Sequence, residues 1–188
     1  EIFEPKTDKD VPDGTVARAK ATCLLCGSVL PPDRVRAQLT EHCGGADAVF
    51  DSNGNRTGGA RMLAVVSLYA GMQGRHYRLP SEKDYRAIWK AQNRLKAILD
   101  DWDQGGRETL CPVPDEVLPL MSGAFNVPLY GMNRWGDLFT ARQKIALILL
   151  VNLVRQAKEP INRLLAVALD RTADGSAAIT GWLASGEE

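Results

Sequence analysis

Thr15-Val-Ala-Arg-Ala-Lys-Ala-Thr-Cys-Leu-Leu-Cys-Gly27 decides how the first part of this chain is read. From Thr15 to Thr22 small apolar and polar side chains alternate, the period of a half-buried strand. That strand leads into Cys23 and Cys26, and Gly27 then supports a tight turn. Two thiolates with two residues between them can grip one ion through such a turn, and Cys-x-x-Cys-Gly is the usual first knuckle of a zinc ribbon. Cys43 follows after sixteen intervening residues and is the natural third ligand. The fourth is open between Cys111, His76 and, awkwardly placed beside Cys43, His42. The competing reading is a metal-free turn with buried free thiols. Disulfide-exchange chemistry needs the first cysteine at a helix N-terminus, and Gly27 and Pro31-Pro32 follow too closely for a long helix there.

Outward from the knuckle, residues 1–14 carry Pro5, Pro12 and Gly14 among alternating charges and read as an extended lead-in. Pro31-Pro32-Asp33 signals a helix start, and the spacing predicts a short helix over 33–41 that Cys43-Gly-Gly stops. Asp51–Gly59 reads as a turn cluster, Arg61–Tyr69 as a buried strand, and Gly71–Gly74 as the turn of a hairpin into His76-Tyr-Arg-Leu79. Pro80-Ser81-Glu-Lys-Asp84 then supplies a capping serine and a first-turn acid. Tyr85, Ile88, Leu95, Ile98, Leu99 and Trp102 keep helical spacing to about residue 102, before Gly105-Gly106. Residues 107–139 hold four prolines among apolar anchors and read as a long irregular connection. Thr140 with Gln143 forms a second capping box, and the run to Lys158 is apolar on nearly every side, as in a central buried helix. Pro160 opens a third helix over about 160–184, with a break expected near Asp174-Gly175. The fold class is α+β: a small β-rich, zinc-ribbon-like region over 1–80 and a helical region of about three α-helices over 81–188.

The composition limits what such a fold can do. With 188 residues, 45% of them hydrophobic, the chain can bury a core, and 23 basic against 23 acidic side chains leave no net charge. No global field draws it to nucleic acid or membrane, so any such contact is local. The apolar run Ile145–Val154 is far short of a membrane span. Four cysteines are too few for a disulfide scaffold and suit a reducing compartment, so the expected location is cytoplasmic. The start carries neither a secretory leader nor an initiator Met, and the chain reads as a segment of a longer protein.

Two basic clusters are candidates for nucleic-acid contact. Arg75, His76 and Arg78 surround Tyr77, where cations could meet phosphates and a ring could stack on a base. Arg134 and Arg142, with Lys144, lie around Trp135 and a helix N-terminus, where a phosphate could also meet free amides. The plain alternatives are a solvated strand end and a helix-packing tryptophan with surface arginines. No phosphate loop, no dinucleotide glycine turn and no Ser/His/Asp or Cys/His set is present.

Several blocks together resemble the adenine-specific DNA methyltransferases that carry a zinc-ribbon-like insert. They are Cys23-Leu-Leu-Cys-Gly27, Tyr77-Arg-Leu-Pro-Ser-Glu-Lys-Asp84, Val113-Pro-Asp-Glu-Val-Leu-Pro119, and the most specific, Tyr130-Gly-Met-Asn-Arg-Trp-Gly-Asp-Leu-Phe-Thr-Ala-Arg-Gln143. The likeness continues through Ala166-Val-Ala-Leu-Asp-Arg171 and Ala173-Asp174, and the chain departs from the pattern by an insertion between Cys43 and Gly59. The resemblance implies a parent protein that moves a methyl group from S-adenosylmethionine to adenine N6 with the base flipped out of the duplex. The cofactor turn and the Pro-Pro-aromatic segment of that family lie outside this chain, so it has no catalytic residues of its own under this reading. It would be an insert that contacts DNA through Arg75, His76, Arg78, Arg134 and Arg142, or a structural or protein-interaction module that supports the missing catalytic domain. Zinc on Cys23, Cys26, Cys43 and Cys111 would be its own metal, and S-adenosylmethionine belongs to the parent alone.

Overall fold

The computed structural model describes residues 6–120 and 126–177. It has small antiparallel sheets and four α-helices, as an α+β chain should. The chain forms two compact units: one runs as far as Ala87 and includes Leu129–Gly131, and the other takes Ile88–Pro128 and Met132 onward.

The first unit begins with a three-stranded sheet of β1 (Val16–Ala17), β2 (Lys20–Thr22) and β3 (Val29–Leu30). The single strand expected over 15–22 is a hairpin instead. Arg18 and Ala19 form its two-residue turn at φ 49° and 64°, the doubly left-handed geometry of a tight hairpin, reached here without the usual glycine or asparagine. Helix α1 (Pro32–Glu41) starts at proline and ends where Cys43 and Gly44 turn left-handed. The expected turn cluster over 51–59 is also shorter than its glycines suggest. β4 (Ala48–Phe50) pairs with β5 (Arg56–Gly59), leaving Asp51–Asn55 as the turn, where the Asp51 carboxylate accepts the amides of Asn53 and Asn55.

β6 (Val65–Ser67) and β7 (His76–Arg78) make the predicted hairpin, but the run 61–69 is not a buried strand. Only three of its residues pair, and Leu63 and Leu68 are 76% and 77% exposed. An apolar run shows that a segment gains from burial; it does not show that a covering layer exists.

Helix α2 (Glu82–Gln104) begins in the first unit and ends in the second. Its amphipathic spacing holds, with Leu95 buried, and left-handed Gly106 follows its end. In the second unit the connection after α2 is anchored by a short antiparallel crossing. Leu118 donates its amide to Asn133 O at 2.8 Å, Trp135 to Glu116 O at 3.2 Å and Gly136 to Pro114 O at 2.9 Å, around a bridge of Val117 to Arg134. A 3-10 turn over Trp135–Leu138 follows, and its Asp137 carboxylate accepts the amides of Asn133 and Arg134 just before it. Leu118, Met132, Leu138 and Ala141 are the buried residues of this corner.

Helix α3 (Ala141–Gln156) starts from the predicted box: Thr140 N–H donates to Gln143 Oε1 at 2.8 Å, and the Gln143 amide points back to Thr140 Oγ1. Helix α4 (Ile161–Ser176) returns antiparallel, since Gln143 Nε2 at the start of α3 donates to Ser176 O at the end of α4. The predicted break near Asp174-Gly175 is the end of this helix at Ser176, and the stretch beyond 177 lies outside the described residues. α3 is not a buried central helix: Leu149, Leu150 and Leu153 are 57%, 41% and 62% exposed, and Ala141 alone is buried. Its principal neighbour is α4, and one neighbour covers one face.

Gly136 sets the corner's tolerance. A Cβ there would lie 2.5 Å from Val113 Cγ1 and 2.8 Å from Pro114 O. Gly136→Ala should therefore destabilise the chain by about 1–3 kcal/mol. Urea denaturation should give a lower midpoint with an unchanged slope.

Candidate functional site

The knuckle is assembled as half a site. The Cys23 amide donates to Ser28 O and Gly27 N–H to Cys23 O, both at 2.9 Å, closing a turn with Gly27 at φ +72°. Leu24, Leu25 and Cys26 are exposed. Cys26 Sγ lies 3.3 Å from Ser28 Oγ. Hydrogen bonding to the Ser28 hydroxyl, then to its amide and to the Cys23 thiol, holds the Cys26 thiol below its ordinary value. A thiolate is the form that binds metal and reacts with electrophiles.

Cys43 sits in a 3-10 turn after α1, and Cys111 belongs to the second unit. Among the described residues no three His, Cys, Asp or Glu side chains converge to hold a metal ion. The residues therefore fit two of zinc's four positions.

Arg75, His76 and Arg78 lie together at β7, but their chemistry differs. Arg78 makes a two-armed pair with Asp84 at 2.7 and 2.8 Å. Asp84 also accepts the Ser81 amide and hydroxyl, each at 2.7 Å. The Arg78 contact first, and then the Ser81 bonds, hold this carboxyl far below the ordinary carboxylate range. Arg78 is thus engaged in fixing the hairpin to the start of α2. His76 sets its ring edge-on to Tyr69, with centroids 5.1 Å apart, and its Nε2 is shielded from solvent with no hydrogen-bond partner among the described residues. In the ladder Val66 pairs with Tyr77, which is 49% exposed, as is Leu79 at 55%. Arg75 precedes this strand.

Arg134 lines an open groove of about 550 Å³ in the second unit, along with Lys144, Trp102 and Cys111. Arg142 is exposed near the start of α3 and is not among the lining residues. Sequence reading misses the rest of this groove. Arg107 stacks over Trp102 at 5.4 Å and pairs with Asp103 at 2.6 Å, while Trp102 Nε1 donates to Thr109 O. The signal was Gly105-Gly106, which turns Arg107 back on the helix end. Asp100, Asp103, Asp115 and Asp137 share the lining with three cations, Arg107, Arg134 and Lys144. Four carboxylates against three cations make a poor phosphate cradle.

No helix among the described residues is long and apolar enough to cross a membrane. The chain matches no family model, no curated protein and no solved structure.

Two outcomes follow from these contacts. Cys26 should be the first thiol alkylated by iodoacetamide at neutral pH, and Ser28→Ala should slow it, as read by peptide mass spectrometry. Because the Asp84 pKa is depressed in the folded chain, its stabilising effect is present above the unfolded value, about 4, and is lost as pH falls through the folded one. Thermal melting should therefore worsen progressively below about pH 4. Asp84→Asn should melt lower at neutral pH and show a flatter profile in that acid window.

Proposed function

We propose that this chain is a non-catalytic insert of an S-adenosylmethionine-dependent DNA adenine-N6 methyltransferase, and that it frames the catalytic part rather than gripping DNA. The reading of the parent rests on the sequence resemblance. The reading of the role rests on one observation: two stretches of that resemblance in the second unit, 113–119 and 132–143, are hydrogen-bonded to each other across the Leu118–Gly136 crossing. Several of their groups serve backbone structure. Asp137 caps amides, Gln143 closes the start of α3 and ties it to α4, and Gly136 permits the crossing.

In the parent, methyl transfer would need a base pocket and a cofactor turn supplied by other parts of the protein. This chain would hold neither. Zinc, where bound, would take Cys23 and Cys26 as two of its ligands and act as a staple for the β1–β3 sheet. Free thiols and a metal knuckle both suit the cytoplasm.

DNA contact is the second reading, favoured by the β6–β7 hairpin, where exposed Tyr77 lies beside Arg75 in sequence. Against it stand the pairing of Arg78 with Asp84 and the excess of carboxylates around Arg134.

Fluorescence anisotropy with a labelled duplex, read across a salt series, separates the two. The framing role predicts no salt-dependent binding by the chain, and no change in Arg75→Ala/Tyr77→Ala. Binding that falls steeply with salt and weakens in that double variant would overturn it in favour of DNA contact.

A further inference from the structure

We propose that Asn53-Gly54, at the tip of the β4–β5 hairpin, is a site of spontaneous covalent modification, where asparagine converts to aspartate and isoaspartate, and that the Asp51 carboxylate is the latch that sets its rate. Such a conversion needs an asparagine side chain free to turn back on the next backbone nitrogen, and a next residue that does not block the approach. Asn53 is the one asparagine of this chain followed by glycine; the others precede Arg, Val or Leu. It is exposed, and its side-chain amide has no hydrogen-bond partner among the described residues. Gly54 lies at φ +84°, a conformation that favours glycine and so leaves the attacking nitrogen without a neighbouring side chain.

The Gly54 nitrogen, losing its proton to hydroxide, adds to Asn53 Cγ and closes a cyclic imide. The Cγ–Nδ2 bond breaks, and the side-chain nitrogen takes a proton from water and leaves as ammonia. Water then opens the ring at either carbonyl: one opening leaves aspartate, and the other carries the main chain through the side-chain carbon as isoaspartate. The turn holds this reaction back. Gly54 donates its N–H to Asp51 O at 3.1 Å, and Asp51 Oδ1 accepts the amides of Asn53 and Asn55, each at 2.9 Å, while Oδ2 accepts Asn55 Nδ2 at 3.1 Å. With these bonds closed the Gly54 nitrogen keeps its proton and its place, so the ring forms in the local openings of the hairpin tip that break them. Either product puts a second carboxylate beside that of Asp51, and isoaspartate also lengthens the turn, so the pairing of β4 with β5 loosens after conversion. This site does not depend on the methyltransferase reading.

Peptide mass spectrometry of the full chain aged in mildly alkaline buffer tests it, with the same chain aged in guanidinium chloride as the unlatched reference. Asn53 should gain the mass of amide-to-acid conversion in two chromatographic forms, more slowly in the folded chain than in denaturant. Asp51→Ala should speed the folded chain severalfold, and Asn53→Gln should abolish the conversion. Should circular dichroism show that Asp51→Ala does not fold, Asn55→Ala decides: it removes the Nδ2 bond to the carboxylate and should speed conversion by a smaller factor. An Asn53 that stays intact in the aged folded chain would overturn the site. A folded rate equal to that in denaturant, or one unmoved by the folded Asp51 or Asn55 variant, would overturn the latch.

Discussion

Gly136 donates its amide to Pro114 O at 2.9 Å, and it can do so because position 136 has no side chain to strike Val113. On that close approach depends the crossing of 114–118 with 133–136. The crossing buries Leu118, Met132 and Leu138, and it delivers the chain to Thr140 at the angle from which α3 begins. Asp137 and Gln143 then satisfy the amides that a turn and a helix start leave open. Few residues are fully buried here, so the hydrogen bonds of this corner carry a large part of its definition.

Once α3 is launched, its sequence asks for more cover than α4 can give. Burying a leucine is worth roughly 1.5–3 kcal/mol, and α3 alone leaves three of them substantially wet. Such a layer is the usual mark of an interaction surface. Two basic groups, by contrast, are engaged internally: Arg78 by Asp84, and Arg107 by Asp103 and the face of Trp102.

Helix starts were legible in the sequence because their causes are local. Pro32, the pair Ser81 and Asp84, and the pair Thr140 and Gln143 each complete their work within four residues, and all three helices begin where these residues say. Strand extents were not legible, because a strand is fixed by its partner. Arg18 and Ala19 adopt left-handed turn geometry that neither residue advertises, and the Leu- and Val-rich run 61–69 pairs over three residues only. The groove was hidden for a similar reason: Leu99, Arg107, Arg134 and Lys144 meet across dozens of residues of chain. The knuckle Cys23–Cys26 was plain to see, while the remaining ligands of a metal site have no local signature and are not gathered among the described residues.

Hydrogen–deuterium exchange of the full chain tests the central claim most directly, because it reads the corner amide by amide. The amides of Leu118, Trp135 and Gly136 should be protected well beyond those of the Asp51–Asn55 turn, and Gly136→Ala should release all three together. Corner amides exchanging as fast as that turn, or indifferent to Gly136→Ala, would contradict the account.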